Sequence, residues 1–129
     1  MMRKQSDPKD RVSYHVLIGR FGDVYRLVQY ENRAWHAGVS KYRDSGNVND
    51  ISIGVSFGNL NDGKEPYRPD QLEAGLNVCE DIMRQWPAIT IDRITTHALI
   101  AMPPGRKDDP KGFPLADFLY ELRLRVERP

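Results

Sequence analysis

Two interleaved sets of residues run from Val12 to Arg20, with Val12, Tyr14, Val16 and Ile18 opposing Ser13, His15, Leu17 and Gly19. A period of two marks a strand with two unlike faces. Arg20 to Asp23 brings the glycine of a tight turn and Val24 to Val28 returns, so the pattern predicts a hairpin. Ile51 to Phe57, a β-branched run around Gly54, predicts a third strand with close backbone approach, and Ile91 to His97 predicts a fourth. Helical spacing takes over between Pro69 and Trp86, where Leu72, Leu76, Cys79, Met83 and Trp86 form one stripe that is expected to face a sheet. Pro69 suits a first helical position, Asp70 and Glu73 suit the positive end of the dipole, and Pro87 stops the helix. From Pro114 a last helix is expected to bury Leu115, Phe118, Leu119, Leu122 and Val126.

The order hairpin, strand, helix, strand, helix predicts an α/β fold: a single domain with a mixed β-sheet and helices packed on it. Its 129 residues are enough for one core and too few for two. Residues 1–11 lack periodicity and are read as a loop or disordered tail, leaving 12–129 as the domain. Two connections stand out. Gln29 to Asn49 is long and irregular, which favours a binding loop over a plain linker, and Gly58 to Tyr67 is rich in turn residues.

Composition narrows the function classes. Nineteen Lys and Arg against eighteen Asp and Glu leave no global field that would draw nucleic acid. No apolar run reaches membrane-spanning length, and Met1 to Arg11 carries no apolar export segment, so synthesis in the cytoplasm is expected. Cys79 is the sole cysteine and cannot form an intrachain disulfide; on the helical stripe it reads as a small core residue.

The chemistry concentrates between Ile94 and Phe113. Here His97 is followed by a Pro-Pro-Gly loop and by Arg106-Lys107-Asp108-Asp109-Pro110. An imidazole and a carboxylate offer ligands for a divalent ion, and a neighbouring ammonium can hold an oxyanion formed by attack of an activated water. Taken alone, this spacing also fits a solvated charged turn.

Four blocks change the balance: Val12 to Tyr25, the A-W-H-A-G of Ala34 to Gly38, Asn49 to Phe57, and the T-H-A-L-I-A-M-P-P-G-R-K-D-D-P of Thr96 to Pro110. Together with Y-R-P-D-Q at Tyr67 to Gln71, they resemble, in the same order, the zinc-dependent N-acetylmuramoyl-L-alanine amidases, a family that includes phage lysozyme-type amidases and peptidoglycan recognition proteins. The resemblance implies hydrolysis of the amide between the lactyl group of muramic acid and L-alanine, with Zn2+ as cofactor and peptidoglycan or muropeptides as partners. It makes His97 and Asp109 zinc ligands, Lys107 the cation that stabilises the oxyanion, and Tyr14 a group that orients water or relays a proton. His36 would line the substrate groove, and Trp35 fits equally a wall of that groove or plain core filling. Ser56 stands where other branches place a glutamate and would also face substrate. Asn49 and Asp50 are expected to shape a turn, and His15 to be a structural imidazole.

The resemblance departs from the family at one point. Relatives carry a first histidine ligand on an opening strand, whereas Met1 to Ser13 holds neither His nor Cys. The expectation is therefore an amidase domain lacking that strand, with Asp108, His36 or His15 as substitutes for the third ligand. The alternative is a module that binds muropeptides without cutting them. A sheet edge left open in this way would favour a homodimer. Intact wall, as for an endolysin, and soluble fragments, as for a recycling enzyme, are both compatible with these residues.

Overall fold

The computed structural model describes residues 14–31, 52–103, 105 and 108–127. The expected tail, most of the loop from Gln29 to Asn49, the Asn49-Asp50 turn, and Trp35, His36 and Lys107 lie outside the described residues. Among the described residues, three short strands form one sheet in the order β2-β1-β3, with β1 at Val16–Ile18, β2 at Val24–Arg26 and β3 at Val55–Phe57. The predicted hairpin is present as the antiparallel pair β1 and β2, in which Leu17 faces Tyr25. β3 runs parallel to β1 with Leu17 opposite Ser56, so the sheet is mixed. No helix among the described residues is long and apolar enough to cross a membrane.

The expected alternation breaks just before β1. The N–H groups of His15 and Val16 both donate to the Gly54 carbonyl, at 3.0 and 3.2 Å. Two residues against one is the pairing of a β-bulge, and it turns His15 and Tyr14 to the faces opposite those that strict alternation gives them. His15 therefore joins Val16 and Ile18 as fully buried, and Tyr14 is parted from the set in which strict alternation would put it.

α1, Pro69–Gln85, begins on a proline as expected and packs in two directions. Ala74, Val78 and Ile82 meet Val16 and Ile18 of the sheet, with Val55, Tyr30 and Trp86 around them. Burying an aliphatic side chain of this kind is worth roughly 1.5–3 kcal/mol. The stripe of Leu72, Leu76, Cys79 and Met83 does not face the sheet as predicted. It packs on Phe118 and Leu122 of the last helix, Leu115–Val126, because the smaller residues Ala74, Gly75 and Val78 take the close approach to the strands. Arg125 of that helix clasps α1 from outside, reaching Glu73 at 2.6 Å and Asn77 at 2.8 Å.

The predicted fourth strand is absent from its place. Ile91–Arg93 is a 3-10 turn, followed by a one-turn helix α2 at His97–Ile100, which makes the last helix α3. Ile91 and Ile94, three apart, both pack into the cluster beneath α3, a spacing that a strand would send to opposite faces. Thr96 then caps α2, its Oγ accepting from Leu99 N–H at 3.4 Å.

Gln71 fastens the helix to the sheet. Fully buried at the start of α1, its amide donates to the Gly58 carbonyl at 2.9 Å and to the Ile18 carbonyl at 3.3 Å, where β3 and β1 end.

Candidate metal and catalytic site

His97 opens α2, and Asp109 reaches it twice. Its carbonyl accepts the Ala98 N–H at 3.0 Å, and its carboxylate oxygen Oδ2 lies 2.6 Å from His97 Nδ1. The backbone bond fixes the loop against the helix start, and the side-chain bond turns the imidazole toward the acid. With a carboxylate as partner, Nδ1–H is assigned as donor. The His97 side chain is 15% exposed and that of Asp109 37%, so the pair opens to solvent on the acid side.

Tyr14 completes the cluster from the sheet. Its ring stacks on His97 with centroids 6.5 Å apart and planes 27° apart. Burial first, and then the negative charge of Asp109, push the phenol above its ordinary value, while a hydrogen bond with Ser56 pulls it back in part. The phenol is therefore a proton donor at neutral pH rather than a base. The bulge makes this contact available. Val55 and Phe57 pack into the core, so Ser56 between them points away from α1, and Tyr14, displaced from the Val16 and Ile18 face, meets it there.

Of two adjacent acids, only Asp109 turns to His97. Asp108 is bound by Lys111 Nζ at 3.1 Å and by Asn61 Nδ2 at 3.0 Å, and these partners hold its carboxyl below the usual range. His15 is likewise engaged: its Nδ1 accepts the Gly54 N–H at 3.0 Å inside the core, and its ring sits 6.3 Å from that of Tyr30. His36, Trp35 and Lys107 are outside the described residues. In kind, the nitrogen and oxygen donors of His97 and Asp109 fit a divalent metal, and they converge where solvent can enter. Among the described residues no group of three or more His, Cys, Asp or Glu is placed to hold one.

Two neighbours, Tyr67 and Phe113, lie in stretches that the sequence singles out but are given no role in the site there. Tyr67, raised by burial and then by the charges of Asp109 and Glu65, stands beside the acid. Its ring packs edge-on against Phe113, at 5.1 Å, and Phe113 in turn lies 5.0 Å from Phe57 and 5.2 Å from Phe118. This aromatic stack ties the chain just after Asp109 to the sheet and α3.

A mixed sheet covered by α1, with an imidazole, an acid and a phenol brought together, makes this an α/β domain with a solvent-open polar cluster. The chain belongs to the N-acetylmuramoyl-L-alanine amidase family, whose pattern it matches over residues 1–112. That match starts ahead of Val12, where the recognisable blocks begin. The 1,6-anhydro-N-acetylmuramyl-L-alanine amidase AmpD of Haemophilus influenzae is 39% identical over 100 residues, which are 78% of this chain and 52% of the relative. A selenomethionine derivative of AmpD superposes with a TM-score of 0.78 at 35% identity, covering 87% of this chain and 60% of that one. AmiD from Escherichia coli, solved with the substrate anhydro-N-acetylmuramic acid-L-Ala-D-gamma-Glu-L-Lys, gives a TM-score of 0.76 at 29% identity over 90% of this chain and 49% of its own. The chain thus spans about half the length of the curated relatives it matches.

Proposed function

We propose that this chain hydrolyses the amide between N-acetylmuramic acid and L-alanine, acting on soluble anhydromuropeptides with the help of zinc. The observation that carries the reading is the 2.6 Å approach of His97 Nδ1 to Asp109 Oδ2 at a solvent-open rim. Supporting the substrate class are the anhydromuramyl compounds named for AmpD and for the AmiD complex.

His97 and Asp109 would hold the metal. When bound, zinc supplies Lewis acidity and a water ionised near neutral pH. Tyr14 keeps its proton and can donate it to a developing anion or pass it to the leaving amine, and Ser56 holds the phenol in place for that task. Lys107 would stabilise the oxyanion, whose charge appears only in the transition state. Trp35 offers a flat apolar wall for sugar or peptide, and His36 would line the same groove. With Asp108 and His15 engaged elsewhere, His36 is the substitute ligand left to test.

The experiment is peptide release from anhydro-N-acetylmuramyl tripeptide, followed by mass spectrometry. Chelation should stop release, zinc should restore it, and His97→Ala or Asp109→Ala should abolish it. Turnover that survives chelation and both replacements would sink the reading. A second reading, binding without cleavage, is favoured by one observation: only two donors converge among the described residues. It predicts muropeptide retained after chelation with no release at any zinc concentration.

A further inference from the structure

Asp109 lies between two residues that are tied to a loop far upstream. Asn61 Nδ2 donates to Asp108 Oδ1 at 3.0 Å, while Asn61 Oδ1 accepts the Lys111 N–H at 2.6 Å. One amide therefore grips the chain on both sides of Asp109, and the Lys111 ammonium closes the ring on Asp108.

The loop behind Asn61 is itself anchored. Asn61 sits at φ 58°, a left-handed conformation that asparagine tolerates better than most residues, and its N–H is held by Asn59 Oδ1 at 2.8 Å. Glu65 accepts from Leu60 N–H and from Arg20, which follows β1, each at 3.1 Å. Gly63 and Gly112 let the two loops touch through backbone, since a Cβ on Gly112 would lie 3.4 Å from Gly63 Cα. A solvated turn needs only to satisfy its own backbone. Here both halves of the Asn61 amide are committed to the segment that carries the acid.

We infer that Asn61 is a positioning residue for Asp109, transmitting the rigidity of the sheet end to the carboxylate that meets His97. Its functional meaning rests on the metal-dependent reading above, and groups that orient a ligand in this way typically contribute about 10- to 100-fold in metal affinity.

The test uses Asn61→Gly in the full chain, because glycine accepts φ 58° without strain and the change removes only the amide. Zinc affinity is measured by competition with a chromophoric chelator, and the His97 Nδ1–H resonance is followed by NMR in metal-free protein. The variant should bind zinc about tenfold more weakly and lose or broaden that resonance. The pair Asn61→Asp with Asp108→Asn reverses donor and acceptor at constant charge and should recover both readouts, which a merely structural loop would not require. Unchanged affinity together with an unchanged resonance overturns the inference. If the wild-type chain binds no zinc, the metal reading fails, and the resonance alone decides: its loss with rescue supports the positioning role, and its persistence refutes it.

Discussion

The Tyr14 ring lies 6.5 Å from that of His97, centroid to centroid, with the two planes 27° apart. This stack requires the two-on-one pairing at His15 and Val16, without which Tyr14 would share the face of Val16 and Ile18. Tyr14→Phe preserves the ring and removes the O–H, so it separates proton donation from packing. Turnover of anhydromuropeptide should fall about 10²- to 10⁴-fold, the usual worth of a positioned proton donor. Melting should stay within a few degrees of wild type. Ser56→Ala should cost less, about tenfold, because the phenol survives but loses a partner. A fully active Tyr14→Phe would remove the phenol from the chemistry.

Why some of this was legible in the linear chain and some was not follows from the range of each interaction. The hairpin and the two long helices are written in local terms: a glycine turn, a proline start and helical spacing. Ile91 to Thr96 has strand composition, yet a seat for Ile91 and Ile94 beneath α3 and a capping threonine override it. The bulge has no local sign, since it depends on Gly54, 39 residues from His15. The same holds for the choice between Asp108 and Asp109. Two neighbouring acids look alike in sequence, and Asp108 is drawn aside by Lys111 close by and by Asn61, 47 residues away. His97 and Asp109 stand out in the linear chain because they lie on one continuous stretch, and the fold brings their side chains to 2.6 Å.

Gln71 offers a test of how the helix is fastened to the sheet. Gln71→Leu keeps most of the volume and strips the donor from the Gly58 carbonyl, while Ile18 retains the Gly58 N–H at 2.7 Å. One half-buried carbonyl is left without this donor, at a cost near the lower end of about 1–3 kcal/mol. Urea titration should show a lower midpoint with an unchanged slope. A midpoint equal to wild type would mean that the amide contributes nothing net.

At Gly75 two effects of opposite sign compete. Alanine is the better helix former by about 1 kcal/mol, which by itself would stabilise α1. The added Cβ, however, would lie 2.5 Å from the Phe57 ring, and that ring is boxed in by Tyr67, Phe113 and Phe118. Overpacking of this kind costs about 1–3 kcal/mol, so Gly75→Ala should lower the melting temperature despite its helical preference. Calorimetry decides the sign, and a rise would show that the aromatic stack yields easily.

Cys79 sits in the seam between α1 and α3, and burial pushes its thiol up to about 12. The native state thus favours the neutral form, and iodoacetamide at pH 8 should label the protein only as fast as it unfolds. The linkage sign follows from the same shift. The raised value in the folded chain gives a stability contribution that is complete below the unfolded thiol's pKa, about 8.5, and is lost as pH climbs from there toward about 12. The thiol keeps some contact with solvent, so the loss should be less than the full 1.4 kcal/mol or so per pH unit that an unscreened group would give. Cys79→Ala should flatten this alkaline fall relative to wild type, with the tyrosines titrating alike in both. Rapid labelling of the folded protein at pH 8 would show instead that the seam between the helices opens without global unfolding.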